Sequence, residues 1–355
     1  MTAVETVTTL EGFDALATEW DGLVEASGRP SPFMLHGWLR ALWPLFEEPH
    51  MVVARRDGRL VGALPLDVRR RRGLRVAELA GGMDAHLGDA LGDETAALLE
   101  EAARARFDLA DLFGMPGGSL LERAGGLRLV ERVEAPVLDL RPGFYEAKFS
   151  AKTRQTHRRK LRRLGDLGRL ELDYVDDLEE TFRIHELRWR GRPDGSGLAR
   201  PEVREAHRAG YRALGGRARI LVLSLDGRAV AYNCAIVVRN RLYSHRLAFD
   251  PEYARFSPGL LCTLELCERA AAEGIERLEL LGGGEEYKLQ LADRLEPLYE
   301  GFGLAQTARG RAVVGARVAR VAARRRLKRF RRLHRLYVDG LAPARRAIDS
   351  VYTSR

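Results

Sequence analysis

The residues best equipped for acid–base work stand together at Glu285-Glu286-Tyr287-Lys288. A carboxylate there can accept a proton directly or through one water, a phenol can give one, and an ammonium can hold a phosphate or carboxylate as a point charge. The same four residues also read as a plain helix start, with glutamate near its positive end, after the pliable Gly282-Gly283-Gly284. A second stretch, Ser257-Pro258-Gly259, opens a helix with a cap and two poor helix residues, a poor choice if the helix only has to pack. Ser257 suits the cap, Pro258 the first helical position, and Gly259 a close approach of a ligand to the backbone. Free amides and the helix dipole favour an anion there by about 0.3 to 1 kcal/mol, and by up to ~2 kcal/mol when partly buried.

Other chemistry-bearing residues read more blandly. Asp84, His86 and Asp89 contain one lone histidine among scattered carboxylates, so a capped loop is expected and no metal. Cys234, Cys262 and Cys267 form no C-x-x-C pair and read as core thiols. Trp189 follows Phe182 by seven residues and His185 by four, one helical face, which favours packing.

An internal repeat positions these groups. "DGRLVGALPL" from Asp57 aligns with "DGRAVAYNCA" from Asp226 at an offset of 169, each an Asp-Gly turn between alternating apolar runs. Leu79-Ala80 align with Leu247-Ala248, and "DLFG" at Asp111 with "ELLG" at Glu279, both at an offset of 168. Each copy reads as strand, turn, strand, turn, strand, loop, helix, strand: an α/β unit whose last strand lies parallel to the third. The loop before the helix then sits at the carboxyl end of a central strand, where ligands of α/β sheets bind. In the second copy that loop holds Ser257, and Glu285 to Lys288 follow the last strand. In the first copy it holds Asp84, Asp89, Asp93 and Glu94, which would repel an anion, so the site is expected in the second copy only.

With "YARFSPGLL" (253–261), "GGGEEYKLQL" (282–291), "SAKTRQTHRRKLRRL" (150–164) and "IHELRWRG" (184–191), the chain resembles a tandem GNAT-type acyltransferase. It is most similar to the branch with a BioF2-like or CelD-like acetyltransferase domain, related to Fem-type aminoacyltransferases, over most of residues 10 to 305. The resemblance implies an α/β fold of tandem duplicated GNAT-like units, with mixed, mostly antiparallel sheets flanked by helices. It also implies acetyl-CoA or another acyl-CoA as co-substrate, no metal, and transfer to an amine or hydroxyl of a small molecule or glycan precursor. Its pyrophosphate would lie in the loop of Arg255, Ser257, Gly259, Leu260 and Leu261. The family's loop begins with Arg or Gln, whereas this chain has Ala254 there and Arg255 one residue later. Glu285 would take the acceptor's proton, Tyr287 would protonate the leaving thiolate, and Lys288 would hold an anion. Asn233, Tyr243 and His245 lie on strands along which an acyl chain could run. Arg158, in a basic helix after a Ser150 cap, and Trp189 complete the candidate substrate contacts. A Fem-like donor, aminoacyl-tRNA, and a non-catalytic accessory role are the alternatives.

Bulk properties bound the rest. The 355 residues, 45% hydrophobic and 31% charged, can build two domains with proper cores. The start of the chain has no basic segment followed by an apolar one, and no stretch approaches membrane-spanning length, which points to a cytoplasmic protein, peripheral to the inner membrane face if attached. The net charge of +9 is uneven: residues 301–355 carry 15 Lys or Arg against Asp339 and Asp349. Residues 1–145 are expected as a non-catalytic unit, 146–305 as the unit with the donor site, and 306–355 as a basic helical tail. Between Arg309 and Tyr337 that tail interleaves Leu327, Phe330, Leu333 and Leu336 with arginines, which suits an anionic membrane surface or an acidic protein, and RNA less well. A chain ending near Ala305 is accordingly expected to keep its fold.

Overall fold

The computed structural model describes residues 2–81, 87–191 and 196–329, the last six of these by backbone alone. The two Asp-Gly turns are tight hairpins: φ is 51° and 80° at Asp57 and Gly58, and 50° and 77° at Asp226 and Gly227. That geometry matches the twist of the flanking strands. The first unit runs β1 (Thr2–Val7), α1 (Leu10–Asp14), α2 (Ala17–Ala26), α3 (His36–Leu42), β2 (Pro49–Arg56), β3 (Arg59–Arg71), β4 (Leu74–Leu79), β5 (Leu91–Gly92), α4 (Thr95–Ala102), β6 (Leu109–Pro116), α5 (Leu120–Ala124) and β7 (Leu127–Asp139). The second runs α6 (Phe144–Lys148), α7 (Ala151–Gly165), β8 (Leu170–Tyr174), α8 (Glu179–Trp189), α9 (Pro201–Leu214), β9 (Ala218–Leu225), β10 (Arg228–Val238), β11 (Arg241–Phe249), α10 (Pro258–Ala272), β12 (Arg277–Glu279), α11 (Glu286–Leu291) and β13 (Arg294–Gly303), followed by α12 (Ala308–Arg329).

Each repeat gives the expected unit. In both, the strand after the helix lies parallel to the third, β6 on β4 and β12 on β11. The chain is thus an α/β fold of tandem duplicated units with a mixed, mostly antiparallel sheet between helices. The units share one sheet, in the order β1-β2-β3-β4-β6-β13-β7-β12-β11-β10-β9-β8. Their join is an exchange. β13 lies against β6 of the first unit, β7 lies against β12 of the second, and β7 and β13 pair antiparallel between them.

Alternation along the strands divides the core. Met51 and Val53, with Ile220 and Val222, face a single core under α1 to α3, α8 and α9. Val52 and Ala54 face a second core with α4, and Leu221 and Leu223 face a third with α10. α3 and α9 join the units so closely that a Cβ on Gly210 would lie 2.9 Å from the Trp38 ring.

The start of the tail belongs to this body. Gln306 donates to the Ala103 carbonyl at 2.6 Å, and a Cβ on Gly310 would overlap the Asp108 carbonyl. Arg317 bridges Asp111, at 2.8 Å, and Glu300, with its guanidinium 4.3 Å above the Phe302 ring. A cavity of about 370 Å³ between α12 and the sheet is lined by Leu127, Leu129, Phe302, Val318 and Val321. A chain ending near Ala305, expected from the sequence to keep its fold, would lose Arg317, the charged partner of two carboxylates. Among the described residues no helix is long and apolar enough to cross a membrane; residues 330–337 of the basic stretch lie outside the described residues.

Candidate functional site

The pairing of β11 with β12 ends at Tyr243 and Glu279. β11 continues to Phe249 on β10 alone, while Leu280 and Gly283 donate to the Pro136 and Glu134 carbonyls on the other side. The two strands therefore splay, leaving a wedge with a free backbone edge on β11. A bulge lies just beyond the point of divergence: the register on β10 steps from Ser244 to Arg246, so His245 is the extra residue.

At the end of β11 the chain turns through a short helical segment, Pro251–Phe256, into α10. Pro258 occupies the first turn as expected. Ser257 does not cap it. It takes φ 55° and makes no side-chain cap bond; its hydroxyl accepts instead from Lys160 Nζ of α7 at 2.7 Å. Gly259 also differs from expectation, since its missing Cβ would point at Phe249, 3.2 Å away, and Leu247, so the glycine serves internal packing. Leu261 is buried and Leu260 packs at the rim of the α10 core.

α7 begins at Ser150, whose hydroxyl accepts from the Thr153 amide at 3.2 Å, and buries His157 and Leu164. His157 bonds to the Tyr145 phenol, and burial followed by the charge of Lys160 lowers its pKa. The outer flank of α7 meets the α10 loop in a groove of about 540 Å³ lined by Arg159, Lys160, Arg163, Asp166, Leu167, Arg255 and Phe256. Four cations thus surround one carboxylate beside the first turn of α10, whose amides have no intrahelical acceptors. Arg255, stacked 4.7 Å over Phe256, belongs to this lining. Arg158 is exposed and does not line the groove. Its neighbours Arg159, Lys160 and Arg163 line it instead; the sequence marks them only as members of the same dense basic helix, suited to the phosphates of a CoA-like cofactor, a tRNA or an anionic glycan.

Across the wedge, Glu285 precedes α11 and pairs with Lys288 at 3.2 Å, while Lys288 also donates to the Gly282 carbonyl at 3.2 Å. The ammonium is almost buried and the Glu285 carboxylate exposed. Burial, then the nearby Glu285 charge, raises the pKa of Tyr287, so the phenol stays protonated and remains a proton donor. Tyr287 packs at the rim of the same core as Leu260, Phe249 and Tyr253.

The strand residues divide by face. Asn233 is fully buried, donating to Thr263 on α10 at 3.0 Å and accepting from Ser244. Tyr243 donates to the Pro30 carbonyl of the first unit. His245 Nδ1 lies 2.8 Å from the Tyr211 phenol, with its ring stacked on His207, 5.8 Å between centroids. Arg246 donates to His207 Nε2 at 3.0 Å, which makes Nδ1 the protonated nitrogen that meets the Val203 carbonyl at 2.7 Å. His185 bonds to Ser196 at 2.7 Å and stacks on Trp189; burial, then Arg246, pulls its pKa down to about 3. Asn233 and Tyr243 are therefore tied into the scaffold, whereas His245 and Trp189 stand on the α8–α9 side.

The first unit's equivalent wedge is filled by its own chain. Pairing of β4 with β6 ends at Ala77. Beyond it, the Gly88 amide donates to the Gly114 carbonyl at 3.1 Å, and a Cβ on Gly88 would lie 2.9 Å from Leu79. Asp89 accepts from the Leu120 and Leu121 amides at the start of α5, so it caps a turn. Asp84 and His86 lie outside the described residues. Among the described residues no group of three or more His, Cys, Asp or Glu could hold a metal.

Comparison with known proteins agrees with this geometry. Residues 151–289, which contain α7, the wedge and the first part of α11, match the acetyltransferase (GNAT) domain family. No curated protein matches the chain in sequence. Among solved structures it is similar to the C-terminal domain of a candidate lysylphosphatidylglycerol synthetase from Agrobacterium fabrum, with 17% identity, 87% of this chain and 97% of that one covered, and a TM-score of 0.56. FemX gives 12%, 84%, 96% and 0.57, and L-PGS from Bacillus licheniformis 15%, 84%, 96% and 0.53. These identities speak for the fold alone.

Proposed function

We propose that the GNAT acetyltransferase domain at residues 151–289, together with β7 and β13, transfers an acetyl or other acyl group from acyl-CoA to an amine or hydroxyl acceptor in a ternary complex. The observation that carries this reading is the groove of Arg159, Lys160, Arg163 and Arg255 beside the first turn of α10, at the mouth of the wedge. A diphosphate fits that donor set, because guanidinium and ammonium groups join helix amides in one place. The free edge of β11 can pair with the amide groups of an extended pantetheine arm, as an added strand would.

The residues across the wedge can handle the protons. An alkylammonium is ~3.4 units above pH 7, so presenting it neutral costs about 4.6 kcal/mol. Glu285 takes that proton, directly or through one water, as nitrogen bonds to the acyl carbon and the carbon–sulfur bond breaks. Tyr287 supplies the proton that the departing thiolate needs and regains one from the acylated nitrogen, and Lys288 fixes the Glu285 carboxylate. His245 and Trp189 border the acceptor side. The first unit, its own wedge filled, is a non-catalytic partner. The acceptor is a small molecule or a glycan precursor of polysaccharide or cell-envelope metabolism.

A second reading rests on the outer face of α7. Among the described residues no carboxylate pairs with Lys152, Arg158, Arg159, Arg162 or Arg163, in a chain where most other arginines are paired. Such a surface suits a polyanionic donor, an aminoacyl-tRNA in the Fem-like manner. The basic segment 309–337 is read as attaching the protein to an anionic membrane surface or acidic protein, at the cytoplasmic side, with RNA as the remaining partner.

The test is thiol release from acetyl-CoA by the full chain over a panel of amines and hydroxyl compounds. Tyr287→Phe should keep CoA binding and lower turnover. Turnover unchanged in that variant would return Tyr287 to packing, and product formation only with charged tRNA would replace acyl-CoA as donor.

A further inference from the structure

Glu279 is the last residue of β12 paired with β11, so it stands at the vertex of the wedge. Its carboxylate is fully buried, and each oxygen takes a guanidinium. Arg241 of β11 meets Oε1 at 2.7 Å and Arg29 meets Oε2 at 2.8 Å. Arg29 belongs to the first unit, after α2, and its other nitrogen meets Glu296 of β13 at 3.0 Å. The next residue, Pro30, accepts the Tyr243 phenol from β11. One short segment of the first unit is therefore bonded to β11, β12 and β13 where the strands part. Neither the domain match nor the proposed chemistry uses it.

We propose that Arg29 is a positioning residue through which the first unit sets the opening of the second unit's wedge, and with it the seat of the donor's pantetheine arm. The inference rests on the acyl-CoA reading. It gives the non-catalytic first unit a part in seating the donor although its own wedge is filled. Buried charges held by two partners in fixed geometry lock the angle of the strands that carry them. Removing one partner leaves the carboxylate half-compensated and frees the vertex to shift. The basic groove lies on α7 and the α10 loop, away from this vertex, so it should not feel the change.

That separation supplies the test. CoA spans the groove and the wedge, whereas adenosine 3′,5′-bisphosphate carries the phosphate-bearing end without the arm. Arg29→Met in the full chain should weaken CoA binding about tenfold, the effect of one charged hydrogen bond, and leave the bisphosphate within about twofold. Arg29→Lys should restore part of the loss. Tyr243→Phe, which removes only the phenol bond to Pro30, should move CoA affinity in the same direction and serves if Arg29→Met does not fold. Equal CoA affinity in the wild type and both variants overturns the inference while leaving the donor reading intact. An equal loss for CoA and the bisphosphate overturns it too, since that is general destabilisation. A wild type that binds neither compound sinks the donor reading, and this inference with it.

Discussion

Ser257 gives up the cap its hydroxyl could form because Lys160 holds that hydroxyl 2.7 Å away, and this contact joins α7 to the start of α10. Lys160→Met keeps most of the stem and removes the charge. It should weaken CoA binding about tenfold, the loss of a charged hydrogen bond of ~1.5 kcal/mol. Calorimetric titration checks this, and an unchanged Kd would leave Lys160 with a structural bond only. Gly259→Ala should act differently. Its Cβ would press on Phe249, so the expected result is a lower Tm with CoA affinity kept. Both residues show what the sequence can and cannot say. Ser257-Pro258-Gly259 announces a helix start through the chemistry of capping and proline. The direction of a missing Cβ depends on strands elsewhere in the chain. Likewise His157 and Leu164 reveal the inward face of α7, with Arg158 and Arg162 on one flank and Arg159, Lys160 and Arg163 on the other. Nothing local decides which flank meets the α10 loop.

At the scale of elements, α12 depends on a charge cluster. Asp111 on β6 lies beside Glu300 on β13, with Arg317 of α12 between them. Burial, then the Glu300 charge, pushes Asp111 up from 3.8 to about 6 against the pull of Arg317. Because the folded pKa is the higher one, the native chain holds a proton between pH 3.8 and about 6 that the unfolded chain has lost. Stability should therefore fall as pH rises through that window. Asp111→Asn should flatten this slope in urea midpoints measured from pH 4 to 7; an unchanged slope would place the titration elsewhere. Arg317→Met leaves two carboxylates facing each other and should cost about 3 kcal/mol or more above that window. The repeat made most elements readable in advance, including both hairpins and both helix-to-strand crossovers. It did not reveal the docking of α12, because Arg317 looks like any other arginine in a run without acids.

At the scale of the whole molecule, the exchange of β7 and β13 makes the units interdependent. A chain starting at residue 146 would lack β7, the partner of both β12 and β13, and Arg29, the partner of Glu279. It should be insoluble or lack near-ultraviolet dichroism, whereas a soluble, cooperative fragment would show that the exchange is dispensable. Alternation along β7 and β13 sets which face each side chain takes, but it does not name the neighbouring strand. For that reason two units were readable in the sequence and one continuous sheet was not. The proposal of donor binding in the second unit rests on the duplicated scaffold, the filled first wedge and the cationic groove. The most direct measurement is a calorimetric titration of acetyl-CoA into the full chain and into an Arg159→Glu/Arg163→Glu variant, both side chains being exposed and free of internal carboxylate partners among the described residues. One-to-one binding by the wild type, weakened about a hundredfold or more in a variant of unchanged Tm, is the predicted result, as two charge-assisted contacts would give. No binding by the wild type, or equal binding by the variant, would contradict it.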